Sequence, residues 1–379
     1  MKAGLFLLCT LGAASATFLV KEGEEHVFSY SGKIVTGIPE LTHTFSGLAI
    51  ECEVLLQAHA GQSGNNPLTI ALRDVKFVNF NEELTHNQGR SEELAHNWRT
   101  LATPVTSPVP EEMKVFLESP IEVLFKDYEV KKITLSSEEP EWSVNFKKAL
   151  VSAIKVQLPV QDELTNRIPR ASGNSMVKVP TFWTVMEQGI DGVCEAMYQV
   201  TEISKYLEPE LVHSLERIEP KIAQSLIKKE LCKGKKMFQV VKTRDISKCT
   251  ARSLYIASRT HDNCVAGNCD GVSSKVSSTR FLGCGENMET FQLHAIVNEG
   301  ELQQNLLAFN TEQVLTGTQQ VLVLKEVKTA HTVLPKITAP RTVEDLLYEY
   351  PKSLTPEERQ QMKNFKTQQD YYNTKAQDP

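Results

Sequence analysis

A chain of 379 residues with 41 basic and 47 acidic side chains is mildly acidic, at a formal net charge of −6, which excludes the strong basic excess or stripe of a nucleic-acid binder. Hydrophobic residues make up 41% and charged residues 23%, so the chain can bury a core and is not disordered as a whole. Its length exceeds one ordinary compact domain, and one large domain with part of another is expected.

Residues 1–16 hold a single charge, Lys2, then an apolar run from Leu5 to Leu11 and the small residues Ala14-Ser15-Ala16. This is the pattern of a secretory signal peptide cut after Ala16. The apolar run is about half of the ~20 residues that span a bilayer, and no later stretch approaches that length. The mature chain is therefore expected to be secreted, extracellular, soluble and not membrane-spanning. Cleavage removes Lys2 and Cys9, which leaves a net charge of −7 and seven of the eight cysteines.

From Glu25 to about Leu135, short apolar or alternating runs are separated by Gly, Pro, Asn and Ser, which predicts strands. Between Ala49 and Ala58, Ile50, Cys52, Val54 and Leu56 alternate with Glu51, Glu53 and Gln57, so one face is buried. Cys52 lies on that face and is the candidate unpaired thiol, acting as a small apolar side chain. Further strands are predicted at Leu68–Phe80, Ile121–Phe125 and Tyr128–Leu135, and 86–110 reads as a long surface connection. The period then changes. Trp142, Phe146, Leu150 and Ile154 recur at helical spacing, with Ala149, Ala153 and Val156 beside them, Val144 and Val151 on other sides, and Pro140 fitting the first turn. A helix enclosed by strands is expected, ending at Leu158-Pro159.

The polar stretch 161–178 reads as an exposed loop, and its Arg167-Ile168-Pro169-Arg170 is a solvated sequence with a distant likeness to a basic processing site. Strands resume at Phe182–Met186 and Val193–Val200. Over 208–230, Leu211, Leu215, Ile218, Ile222 and Leu226 repeat every three or four residues and predict an amphipathic helical insertion kinked at Pro220. β-type runs follow near Met237–Val241, Leu254–Ala257, Phe291–Val297, Leu306–Phe309 and Gln320–Val327. A linker, Leu334–Pro340, precedes two predicted helices: Val343–Tyr350 capped by Thr342, and a second to about Gln369 opened by the capping box Thr355-Pro356-Glu357-Glu358.

Nucleophile-elbow, zinc-protease, phosphate-loop and EF-hand motifs are absent from the sequence. Gly283-Cys284-Gly285 lacks the third glycine and the setting of a dinucleotide fingerprint. His261 with Cys264 and Cys269 could supply three zinc ligands, but clustered cysteines in an oxidising compartment favour disulfides. Catalytic, cofactor and metal residues are accordingly none. Cys194, Cys232, Cys249, Cys264, Cys269 and Cys284 are the structural disulfide candidates. Lys228, Lys229, Lys233, Lys235 and Lys236 crowd around Cys232, a basic knot suited to an acidic receptor module or an anionic headgroup, or simply a solvated hairpin end. No Asn-x-Ser/Thr sequon occurs.

Several segments together resemble the N-terminal domain of the large lipid transfer proteins, the family of vitellogenins, apolipophorins, clotting proteins, apolipoprotein B and the microsomal triglyceride transfer protein. The resemblance is carried by Phe28-Ser29-Tyr30, Thr36-Gly37-Ile38-Pro39, Ser46-Gly47-Leu48-Ala49-Ile50 and the helix with its exit, Asn145 to Leu158. Its most diagnostic part is Gly189-Ile190-Asp191-Gly192-Val193-Cys194 with Tyr198-Gln199-Val200, then Lys242-Thr243-Arg244-Asp245 and Cys249.

The resemblance implies a mainly β fold: a β-barrel-like sheet around a central helix, followed by the start of an α-helical horseshoe. It implies a disulfide between Cys194 and Cys249. Cys264 with Cys269 is expected as a second pair, and Cys232 with Cys284 is the default for what remains. The expected organisation is a signal peptide at 1–16, the β domain at 22–330 and a truncated helical domain at 335–379. The insertion at 208–230 departs from the family pattern. The implied function is secreted lipid transport or nutrient reserve without catalysis, with lipid as cargo of the full-length protein and a lipoprotein-receptor-type protein as a possible partner. The alternative is a stand-alone secreted receptor- or ligand-binding module.

Overall fold

The computed structural model describes residues 20–39, 41–42, 44–59, 67–83, 97–101, 104–126, 129–157, 181–190, 192–203, 224, 232, 234–245, 251–252, 272–286, 290–305, 313–330 and 334–348. In chain order these form β1 (Glu24–Gly37), β2 (Thr44–Ala58), β3 (Pro67–Glu83), a 3-10 turn (Asn97–Thr100), β4 (Ser107–Pro108), α1 (Glu111–Leu117), β5 (Ile121–Lys126), β6 (Glu129–Ser136) and α2 (Glu141–Ile154). Then come β7 (Thr181–Gly189), β8 (Gly192–Ile203), β9 (Lys236–Asp245), β10 (Ala251–Arg252), β11 (Val272–Gly285), β12 (Gln292–Asn305), β13 (Gln313–Thr329) and β14 (Pro340–Val343).

All the strands belong to one antiparallel sheet of order β10-β8-β9-β11-β12-β13-β1-β2-β3-β5-β6-β14, with β4 on β3 and β7 on β8. Among the described residues no hydrogen-bonded pairing joins the two ends, so the barrel-like sheet is open and curved. It wraps α2 nonetheless. Phe28, Val54, Ile70, Val123 and Ile133 from one half and Ala196, Tyr198, Val240, Phe281 and Ile296 from the other share one core cluster with Val144, Leu150, Val151 and Ile154 of the helix.

Alternation sets the strands as expected, with Cys52, Val54 and Leu56 buried on β2 and Cys52 a free thiol. β3 is longer than its apolar run, Pro67 to Glu83, because its polar second half still completes the ladder with β2. Pro140 caps α2 at φ −71° rather than entering its first turn. Leu150 and Ile154 are buried as their spacing predicts, whereas Trp142, on the same predicted stripe, is exposed. The helix stops at Ile154, short of Leu158, because Lys155 turns extended and sends its side chain to the sheet.

Two stretches differ from their sequence patterns. Inside the predicted surface connection 86–110, Trp98 is 0% exposed and packs with Val35, Phe45, Ala49, Phe80 and Leu315 in a second core on the outer face of the sheet. In place of the predicted helix Val343–Tyr350, Pro340–Val343 pairs with Ile133–Ser136 of β6, and Leu346 is buried in the main core. The β-branched Thr342 and Val343 suit this edge ladder, and strand pairing overrides a weak helix signal. Residues 334–348 thus continue the β module. The signal peptide, the loop 161–178, the insertion 208–230 apart from Gln224, the runs Leu254–Ala257 and Leu306–Phe309, and the second terminal helix lie outside the described residues.

Candidate functional site

Three buried lysines of α2 and its exit reach three different parts of the sheet. Lys147 Nζ donates to Phe116 O at 2.8 Å and Ser119 O at 2.6 Å and pairs with Glu139 at 2.5 Å. Lys148 Nζ donates to Leu347 O at 2.7 Å and lies 3.6 Å from Asp345. Lys155 Nζ donates to Glu129 Oε2 at 2.6 Å on β6 and to Gln188 O at 3.0 Å on β7, which bridges the two halves of the sheet. Burial pushes the Lys147 and Lys155 ammoniums down, and their carboxylate neighbours pull the other way.

At the C-terminal end of α2, Glu187 of β7 is 0% exposed. Its Oε1 accepts from Arg244 Nη2 at 2.6 Å and Lys242 Nζ at 3.2 Å, and its Oε2 accepts from the Tyr198 hydroxyl. Lys242 also donates to Lys155 O at 2.6 Å and Ser152 O at 3.4 Å, satisfying carbonyls at the helix end. Arg244 reaches Ser152 Oγ at 3.3 Å. Trp183 stacks on Tyr198 with centroids 5.2 Å apart. Burial alone would raise the Glu187 carboxyl, but Lys242, Arg244, Lys155 and the Tyr198 hydroxyl together hold it well below the usual carboxylate range. Burial pushes Lys242 down to about 7 against the opposing pull of Glu187. Since each of these groups is enclosed and partnered, the cluster fastens the helix to the β7–β8–β9 hairpins.

The outer core is closed by the turn at 97–101. The Trp98 indole lies over Gly317, where any Cβ would come within 2.3 Å of it, and its Nε1 donates to Glu301 Oε2 at 3.3 Å. Arg99 stacks 4.7 Å from the indole centroid and pairs with Glu299 at 3.2 Å and Glu301 at 3.5 Å. Lys33 Nζ donates to Leu101 O at 3.0 Å from beneath.

Of the predicted site residues, Cys232 and Cys284 form a disulfide. Cys194 is buried and disulfide-bonded, while Cys249, Cys264, Cys269 and His261 lie outside the described residues. Lys235 and Lys236 are exposed beside Cys232, and Lys236 lies 3.7 Å from Glu202. Lys228, Lys229 and Lys233 lie outside the described residues. A groove of about 400 Å³ runs along the outer face, lined by Ser29, Ser31, Glu51, Glu53, Asp74 and Lys76. It is small, Val321 and Val323 line it beside the charged groups, and Glu53 in it is already held by Arg73 at 2.5 Å and by Lys325.

A wide antiparallel sheet curled around one helix, its interior closed by packing and buried ion pairs, defines a structural β module. The family model of the vitellogenin N-terminal domain matches residues 21–332, and the chain belongs to that family. It is 24% identical over 357 residues to vitellogenin-2 of Periplaneta americana, a match that covers 91% of this chain and 17% of the relative. It is 25% identical over 170 residues to the hemolymph clottable protein of Penaeus monodon, covering 43% of this chain and 9% of that one. A solved lipovitellin structure concerned with lipid–protein interactions superposes with a TM-score of 0.60 at 14% identity, over 88% of this chain and 28% of that one. The chain thus spans about a sixth of the first of these relatives.

Proposed function

We propose that this chain is the N-terminal module of a secreted lipid-transport and nutrient-reserve protein, in which it serves as a scaffold and docking unit without catalysis. Membership of the vitellogenin N-terminal family and the lipovitellin-like fold support the class. Secretion rests on residues 1–16, and among the described residues no helix is long and apolar enough to cross a membrane. One observation carries the division of labour: the space inside the curved sheet is filled by α2, whose lysines are tied to β6, β7 and the 345–347 segment. Lipid would have to be held by parts of the protein beyond this module, because a carrier needs apolar surface that can be closed from water by cargo. The basic end at Lys235 and Lys236, with Lys228, Lys229 and Lys233 beside it in sequence, is the docking candidate for an acidic receptor module. Lipid extraction and mass spectrometry of the native secreted particle test the reading. Phospholipid or neutral lipid in many copies per particle is the expected result, and a lipid-free particle would overturn it.

A further inference from the structure

The two edges of the sheet are finished differently. β14 is four residues long, opens on Pro340 and carries Arg341, and a short edge with a proline and a charge is a poor template for another strand. At the other edge β7 runs for nine residues, pairs only with β8, and keeps its ladder free of register shifts. Its single ionisable side chain, Glu187, is buried in the ion cluster described above. The side chains it exposes are Phe182 (50%), Met186 (46%) and Thr184 between them. Met197 of β8 stands opposite Thr184 and is 44% exposed, which extends the apolar strip inward from the edge.

Alternation along β7 decides which backbone groups face away from β8. Two residues separate Gly189 from its partner Gly192, and the pair that flanks a two-residue hairpin loop is hydrogen-bonded. Odd-numbered residues of β7 therefore bond to β8, and even-numbered ones point N–H and C=O outward. Gln188 obeys this: its carbonyl accepts from Lys155 Nζ at 3.0 Å. The outward groups of Phe182, Thr184 and Met186 meet no hydrogen-bond partner among the described residues. The same three residues turn their side chains to the outer face, opposite to the buried Trp183 and Glu187. Free backbone groups beside exposed apolar side chains, with no charge, proline or bulge to blunt them, make an edge that accepts another strand.

We propose that this edge takes a second copy of the chain, β7 against β7 and antiparallel, joined about a twofold axis at Thr184 into one continuous sheet. In that register the edge is complementary to itself. Thr184 faces Thr184 of the second copy, and Phe182 faces its Met186, so a ring meets a thioether on each side of the axis. Residues 182, 184 and 186 of each copy contribute their outward N–H and C=O to the new ladder. No charged side chain of β7 enters the contact. Gln188, whose carbonyl is held by Lys155, falls outside it, because its counterpart is Pro180, which precedes the strand. A strand of another protein could use the same hydrogen bonds, but it would have to carry the same apolar pattern in reverse order, which a second copy supplies by symmetry. A few residues per copy fall well short of the ~20–30 residues a side of a standard interface, so the pair should form reversibly. The pairing does not depend on the lipid-transport reading.

Sedimentation velocity of the full secreted chain over a range of concentrations tests the pairing, with a dimer fraction expected to grow with concentration. Thr184→Pro removes the outward N–H at the axis without touching the bonds to β8, and it should weaken association about tenfold or more. Met186→Lys sets a charge on the outer face of the same edge and should weaken it as well; if the proline variant does not fold, this one decides. The register is read by mild oxidation. Thr184→Cys should cross-link two copies, because directly opposed hydrogen-bonded residues lie about 5.5 Å apart at Cα. Phe182→Cys should not, since the two copies of that residue would stand about 13 Å apart along the strand. A chain that stays monomeric at every concentration, a dimer that Met186→Lys leaves unchanged, or cross-linking through Phe182→Cys in place of Thr184→Cys would overturn the proposal.

Discussion

Replacing Glu187 by Gln removes the one carboxylate that Lys242, Arg244 and Tyr198 share in a place closed to water. Breaking a buried ion pair from one side typically costs about 3–5 kcal/mol, and urea denaturation of the variant should show a loss of that order. The acid limb should change too. The folded Glu187 carboxyl lies below the ordinary 4.5, so its contribution is complete above that value and declines as pH falls beneath it, when the unfolded chain takes the proton first. The variant's stability should therefore fall less than the parent's between about pH 5 and about pH 3. Alternation on β7 could place Glu187 on one face with Trp183 and Val185, but no local pattern says that a carboxylate there is enclosed. Its cationic partners lie 55 and 57 residues away. Tyr198, Lys242 and Arg244 do sit in the segments that carry the family resemblance, so the signal was present as pattern and its chemistry was not. In a chain cut after Ala16, which loses Cys9, the Cys232–Cys284 pair and the free Cys52 leave Cys249, Cys264 and Cys269 as the intrachain choices for Cys194. Non-reducing peptide mapping should recover Cys194 with Cys249, and Cys194 joined to Cys264 or Cys269 would contradict the carry-over.

Helix α2 was legible because apolar residues at helical spacing are hard to produce otherwise. What the spacing hid is that Lys147, Lys148 and Lys155 are as buried as Leu150 and Ile154. Their stems add to the packing and their ammoniums find carbonyls and carboxylates contributed by distant elements. Leu150→Ala or Ile154→Ala should each cost about 2–5 kcal/mol, read as lowered urea midpoints and reduced secretion. Variants that melt like the parent would show that the helix is not enclosed. The burial of Trp98 is hidden for a related reason: Asn97-Trp98-Arg99-Thr100 is polar around the indole, and the carboxylates that hold Trp98 and Arg99, Glu301 and Glu299, lie about 200 residues on. Residues 340–343 carried a short helix signal at Thr342, yet they complete the sheet against β6. Helices this short are marginal on their own, so an available edge decides.

At the scale of the whole molecule, strands far apart in sequence form one sheet: β1 lies between β13 and β2, so the first and last long strands are neighbours. Hydrophobic alternation shows that strands exist and which face is buried, but it does not order them; the resemblance supplies the barrel-like wrapping, and in the structure that sheet is open and held across its gap by Lys155. That gap is bridged by a side chain and backed by a helix, which leaves the interior committed to its own packing. Burial of apolar surface is worth about 25 cal/mol per Å², and here the strand faces and α2 already take that gain from each other. The most direct measurement is native mass spectrometry with lipid extraction on recombinant residues 17–379, delipidated and then incubated with phospholipid vesicles. A module whose interior is occupied should return no lipid or one or two molecules per chain, whereas tens of lipids per chain would contradict the assignment of transport to the rest of the protein.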